Sequence, residues 1–183
     1  MERLIARMLA PLQRAVFNML ARGTVVLVDS SGKVQRMQLR LLNGEAKSNL
    51  DHAEIYGLTS RPLPGAEALA AFIGGDRSHG VAFIVGDRRY RLQGLESGEV
   101  ALYDDLGHKV HLTRDGIVVD GAGQQIVFTN APKARFEMDI EATGEIKDKC
   151  DTTGKTMSGM RTTYNGHKHP ETGSTTNVPN QVM

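Results

Sequence analysis

Tryptophan is absent, and the aromatic set is four tyrosines and five phenylalanines in 183 residues. Proteins that hold single-stranded nucleic acid stack bases on aromatic side chains along a cationic groove. Here the stacking supply is small, and 22 Lys and Arg against 21 Asp and Glu leave a formal net charge of +1. That balance excludes a generic nucleic-acid surface. Cysteine is nearly absent too: Cys150 stands alone, so no intrachain disulfide framework exists. Synthesis in a reducing compartment, or a fold that needs no covalent staple, follows. Long apolar runs are also missing. Residues 1–20 are apolar in part, but Arg3, Arg7 and Arg14 interrupt them. They make neither a membrane span nor a clean signal-peptide core.

Glycine is plentiful, at 20 residues, beside a hydrophobic share of 40 %. This mixture predicts a mainly β chain of short strands and turns. The exception is residues 1–22. Leu4, Ile5, Met8, Leu9, Leu12, Val16, Met19 and Leu20 recur at three- and four-residue spacing, which predicts an amphipathic helix that Pro11 kinks or splits. Its apolar face packs on its own domain or on a neighbouring chain; a helix lying on a membrane surface is the other reading.

Residues 23–95 read as a small closed barrel, an OB-fold acting as scaffold or docking domain. Residues 23–29 and 34–39 are strand runs around a Ser-Ser-Gly-Lys turn, and 54–58 is a further short strand. Residues 66–73 form a helical turn or a strand. Residues 80–85 and 90–93 flank Gly86-Asp87 as a tight hairpin.

After Leu95 the pattern changes. Residues 105–113 can be laid over 121–129 at an offset of 16, each a glycine turn leading into alternating apolar positions and a threonine. Short strands punctuated by glycine turns suggest a ribbon or solenoid over residues 96–160. Phe136, Met138, Ile140, Ala142 and Ile146 share one parity, and Glu137, Asp139, Glu141, Glu145 and Lys147 hold the other. Cys150, Thr152 and Thr156 continue the first parity, so the inward face becomes smaller and more polar. A lone ribbon cannot bury one apolar face. Three copies wound about a shared axis can, which predicts a narrow trimeric prism in which each ribbon covers its neighbours. Met157, Met160 and Tyr164 are expected to pack within its taper.

The last segment, residues 161–183, contains Asn165-Gly-His-Lys-His-Pro170. On a helix His167 and His169 would diverge by about 200°; on an extended strand both project from one side. Two imidazoles hold a metal poorly. Three chains would bring six to one point, which argues against four-coordinate structural zinc and favours Fe(II), with Ni(II) and Zn(II) as lesser options. A site so filled has no open position for substrate and would be structural. The same pair also reads as an ordinary polar loop. Residues 171–183 either fray or fold back over the tip.

The run GEVALYDDLGHKVHLTRDGI at residues 98–117, with the His-x-His end, resembles the baseplate assembly protein V family of contractile-tailed phages, and within it the spikes of Mu-like phages. The resemblance covers essentially the whole chain. It implies a homotrimer of an N-terminal OB-fold and a C-terminal triple-stranded β-helix ending in a pointed tip. It implies a place in the virion tail baseplate after assembly in the host cytoplasm. It further implies contacts with tail tube and baseplate proteins, and passage through the host outer membrane on tail contraction. It places iron, one per trimer, on His167 and His169, and allows calcium and chloride on the axis. Asp151 is the named calcium ligand, with Asp148 competing and a solvated carboxylate as the plain alternative for both. Members with lytic activity carry an added lysozyme-like domain that these residues do not offer, so no catalysis is expected. Two other functions are weighed against the spike. One is a cell-envelope hydrolase using the tip histidines as acid and base; the other is a nucleic-acid-binding OB-fold, expected to be absent.

Overall fold

The structure, a computed structural model, describes residues 2–42 and 44–183. The side chains of residues 1–4 and 6, Leu4 and Arg3 among them, lie outside that description. The chain divides into two compact units, residues 1–126 and 127–183.

The first unit begins with α1 (Glu2–Asn18), which runs through Pro11 as one helix. Five strands follow: β1 (Leu20–Asp29), β2 (Arg36–Leu41), β3 (Ala46–His52), β4 (Glu67–Phe72) and β5 (Gly80–Gly86). They close a barrel in the order β1-β2-β3-β5-β4, with β4 returning to β1. The β3–β5 pair is parallel and the others are antiparallel. A five-stranded barrel of this kind is what the glycine-punctuated strand runs predict.

The core follows from alternation. On β2, Met37, Leu39 and Leu41 point in while Arg36 and Arg40 point out. On β4, Ala68, Ala70 and Phe72 point in. Val25 and Val28 are both buried although they lie an odd three positions apart; a bulge between Val25 and Leu27 shifts the phase of β1. The interior is small, so alanines take four of its places, at Ala66, Ala68, Ala70 and Ala82. A Cβ at Gly80 would stand 2.6 Å from the Phe72 ring. Glycine is therefore what lets β5 lie over the largest core side chain.

A 3₁₀ turn (Ile73–Gly75) receives the helix. Gly75 has φ +75°, and a Cβ there would come within 2.4 Å of the Ala15 carbonyl. The helix thus approaches through its small residues: Ala10 and Ala15 are half-buried, while Ile5, Met8, Leu9, Leu12 and Val16 are exposed. The expected apolar stripe exists, and its own domain leaves most of it uncovered.

Two expected strands are not strands. Residues 54–58 form a loop because Glu54 Oε1 accepts from Thr59 Oγ1 (2.7 Å), the Ser60 N–H (3.0 Å) and Gln35 Nε2 (3.0 Å), folding the backbone around one carboxylate. Those bonds hold its carboxyl below the usual range, Thr59 contributing most. Residues 90–93 lie outside the ladder because Asp87 accepts the Arg89 N–H at 3.0 Å and makes a turn.

Three more strands complete this unit: β6 (Val100–Tyr103), β7 (Lys109–Leu112) and β8 (Ile117–Asp120), an antiparallel meander in the order β6-β7-β8. The repeat proposed for residues 105–113 and 121–129 is unequal: the first copy carries β7, and the second carries no strand.

In the second unit, residues 127–146 carry neither helix nor strand. A Lys147–Thr156 bridge closes a turn that leads into α2 (Met157–Gly166). β9 (Pro170–Glu171) and β10 (Ser174–Thr175) form a short hairpin.

Candidate functional site

Two features stand out, one in each unit. The first is a face of the meander. Register places Val100 opposite Leu112 and Leu102 opposite Val110, then Val110 opposite Val119 and Leu112 opposite Ile117. Because side chains alternate, these six share one face. All are large and apolar, and they are 37–72 % exposed. The other face is mixed: beside Ala101, Tyr103 and Val118, Lys109 meets Asp120 at 3.0 Å, and His111 Nε2 lies 3.1 Å from Glu99 Oε2. Glu99 also accepts the N–H groups of Glu96 (2.9 Å) and Arg114 (3.0 Å). These bonds, the Glu96 N–H first, hold its carboxyl below the usual range.

The second feature is the histidine end. α2 begins where Thr156 Oγ1 accepts the Gly159 N–H at 3.0 Å, a side-chain N-cap. Its apolar residues Met157, Met160 and Tyr164 fall at three- and four-residue steps, so the expected taper residues lie on a helix. The helix stops at His167, whose φ of −72° and ψ of 148° are extended. The chain stays non-helical through His169, and the two rings lie 5.0 Å apart, edge to face.

His167 Nδ1 sits 2.6 Å from the Tyr164 carbonyl oxygen. A carbonyl only accepts, so Nδ1 carries a proton, and in the neutral ring it is Nε2 that keeps the lone pair. Metal-bound histidines are oriented in this way by a second partner. The donor chemistry therefore fits a metal, but one chain supplies too little of it. Among the described residues no group of three His, Cys, Asp or Glu is gathered to hold an ion.

Asp151 lies in an exposed turn and is not brought to the histidines. Asp148 Oδ1 is engaged by the Lys155 N–H at 3.0 Å. Of the two expectations for residues 171–183, folding back is what the structure has. Met183 donates to Asn165 Oδ1 at 3.0 Å, and the Thr176 N–H donates to the His169 carbonyl at 3.0 Å. The roles of Asn165, Thr176 and the Tyr164 carbonyl were not foreseen, and only the polar make-up of the segment hinted at them. Among the described residues no helix is long and apolar enough to cross a membrane.

A barrel followed by a meander with a bare apolar face defines a mainly β protein with surface left for other chains. Residues 22–89 match the family described as Bacteriophage Mu Gp45, N-terminal. The chain is 39 % identical over 141 residues to the baseplate puncturing device gp45 of Escherichia phage Mu, spanning 74 % of this chain and 72 % of that one. It is 32 % identical over 180 residues to the Mu-like prophage FluMu protein gp45 of Haemophilus influenzae, spanning 91 % and 94 %. The chain belongs to the phage Mu Gp45 family.

Proposed function

We propose that the chain is the central spike of a contractile tail baseplate, a homotrimer that pierces the host outer membrane without catalysis. It is a component of the virion tail baseplate, and it meets other baseplate and tail proteins there. The carrying observation is the apolar face of β6, β7 and β8. Fully burying one large aliphatic side chain contributes about 1.5–3 kcal/mol. Six such residues, each already part-covered, amount to roughly 5 kcal/mol per chain.

Residues 127–146 add to this reading. Phe136, Met138, Ile140 and Ile146 are 45–73 % exposed on a segment with no ladder of its own. Structureless segments beyond about 12–15 residues are uncommon inside a compact domain. Three such segments wound into a triple-stranded β-helix would supply each other's hydrogen bonds and cover each other's apolar side. The tip would then bring three copies of His167 and His169 together around Fe(II), supplying cross-links where apolar area is scarce. Calcium at Asp151 and chloride on the axis remain subsidiary parts of this proposal. Tail contraction supplies the work; the trimer supplies a stiff point that does not bind nucleic acid.

A hydrolase at the tip is the competing reading. His167 Nδ1 is committed to a carbonyl, and a metal on Nε2 leaves that ring unable to shuttle protons. Elemental analysis combined with mass in solution tests the proposal: one iron per three chains is expected, and a folded, metal-free single chain would overturn it. His167→Ala with His169→Ala should remove the iron and fray the tip while the trimer persists. Loss of the trimer in that variant would mean the tip, and not the shaft, holds the assembly.

A further inference from the structure

Residues 174–183 return to the histidines at two places. β10 pairs with β9 just after His169. Thr176 then makes two bonds to that residue: its Oγ1 accepts the His169 N–H at 2.8 Å, and its own N–H donates to the His169 carbonyl at 3.0 Å. Farther along, the Met183 N–H donates to Asn165 Oδ1 at 3.0 Å, and the Asn165 amide donates to the Met183 carbonyl at 3.4 Å. Asn165 lies in the last turn of α2, two residues before His167. The segment is therefore tied at one end to His169 and at the other to the residue that launches His167.

Between the ties is a cavity of about 480 Å³. Tyr164, His167 and His169 line one side, and Thr176, Val178 and Pro179 line the other. A ligand pair serves a metal only if its geometry is held to within about 0.5 Å. Residues 167–169 carry no helix or strand, so apart from these bonds their backbone torsions are soft. Bonding both the N–H and the C=O of His169 to one residue fixes the two peptide planes on either side of its Cα. The Tyr164 carbonyl does the corresponding work for the His167 ring.

We infer that residues 174–183 position the histidine pair: Thr176 fixes the His169 backbone, and Asn165 clasps Met183 so that the segment forms a standing wall of the ligand site. Asn165 and Thr176 are positioning residues and are not themselves ligands. The inference rests on the metal reading above.

The test uses the full chain with Thr176→Val, Thr176→Ser and Asn165→Ala. Val keeps the shape of Thr176 and removes its acceptor; Ser restores the acceptor. Each protein is loaded anaerobically with ferrous iron, and bound iron per chain and its release to a chelator are followed. Amide hydrogen exchange at His169 and Met183 is measured on the metal-free proteins. Thr176→Val and Asn165→Ala should take up iron at the parent ratio and release it about tenfold faster, in line with losses of orienting partners elsewhere. Thr176→Ser should behave like the parent. In the metal-free proteins, exchange should speed up at His169 in Thr176→Val and at Met183 in Asn165→Ala. Equal release rates in all four proteins, or unchanged exchange, would overturn the positioning role and leave the metal reading standing. A parent chain that takes up no iron through His167 and His169 would sink the metal reading itself, and the positioning role with it.

Discussion

The barrel and the meander lie in one unit and use the same alternation of apolar and polar residues, yet they treat the apolar side in opposite ways. β2 turns Met37, Leu39 and Leu41 into a closed interior, with Leu39 0 % exposed. β7 turns Val110 and Leu112 onto a face with no second layer. The sheet geometry is alike; what differs is closure. Five strands that return on themselves bury one side with their own chain, while three that do not must borrow a cover. The lesson is that exposed alternation marks where the chain's own folding stops covering its apolar side.

This contrast can be broken most severely on the open side. Leu112→Asp with Val119→Asp places two charges per chain on the bare face. Light scattering should show the proposed trimer falling to single chains while barrel melting is unchanged; an unaltered mass would remove that face from the proposed interface. On the closed side, Leu39→Ala should lower the unfolding free energy by about 2–5 kcal/mol in denaturant titration, with assembly retained under native conditions. A smaller effect is expected at α2, where Thr156→Ala deletes an N-cap worth about 1 kcal/mol; circular dichroism of the helix is the readout.

The gentlest probe is acid. Glu99 titrates below its ordinary value of 4.5, chiefly through the Glu96 N–H. A depressed carboxyl contributes stability that is present above the ordinary value and is lost as pH falls through it toward the folded value. Glu99→Gln should therefore flatten the acid side of the stability profile of the meander. A profile identical to that of the parent would show that the Glu99 bonds are energetically idle.

Much of the barrel was legible because its strands obey a period of two and its turns carry glycine or serine. Met37 and Leu39 announce a strand without help from elsewhere. The misreadings came where side chains competed with the backbone: Glu54 and Asp87 each bond local N–H groups and turn apparent strands into loops. α2 was missed for a different reason. Met157, Met160 and Tyr164 read as packing within the taper of the shaft, although they follow a helical step behind a Thr N-cap. At the tip the histidine pair was legible, but its supports were not. Tyr164 acts through its carbonyl and Asn165 through a residue 18 positions away, and neither leaves a spacing signal.

One consequence follows from the ring of strands in the barrel. β1 is bonded to β2 and β4, and β5 to β3 and β4, so each of them is flanked on both sides. A push transmitted along any strand is shared between two ladders and strains their hydrogen bonds together in shear. The ring has no loose margin from which its strands could be unzipped in succession, a property that would serve the spike proposed above.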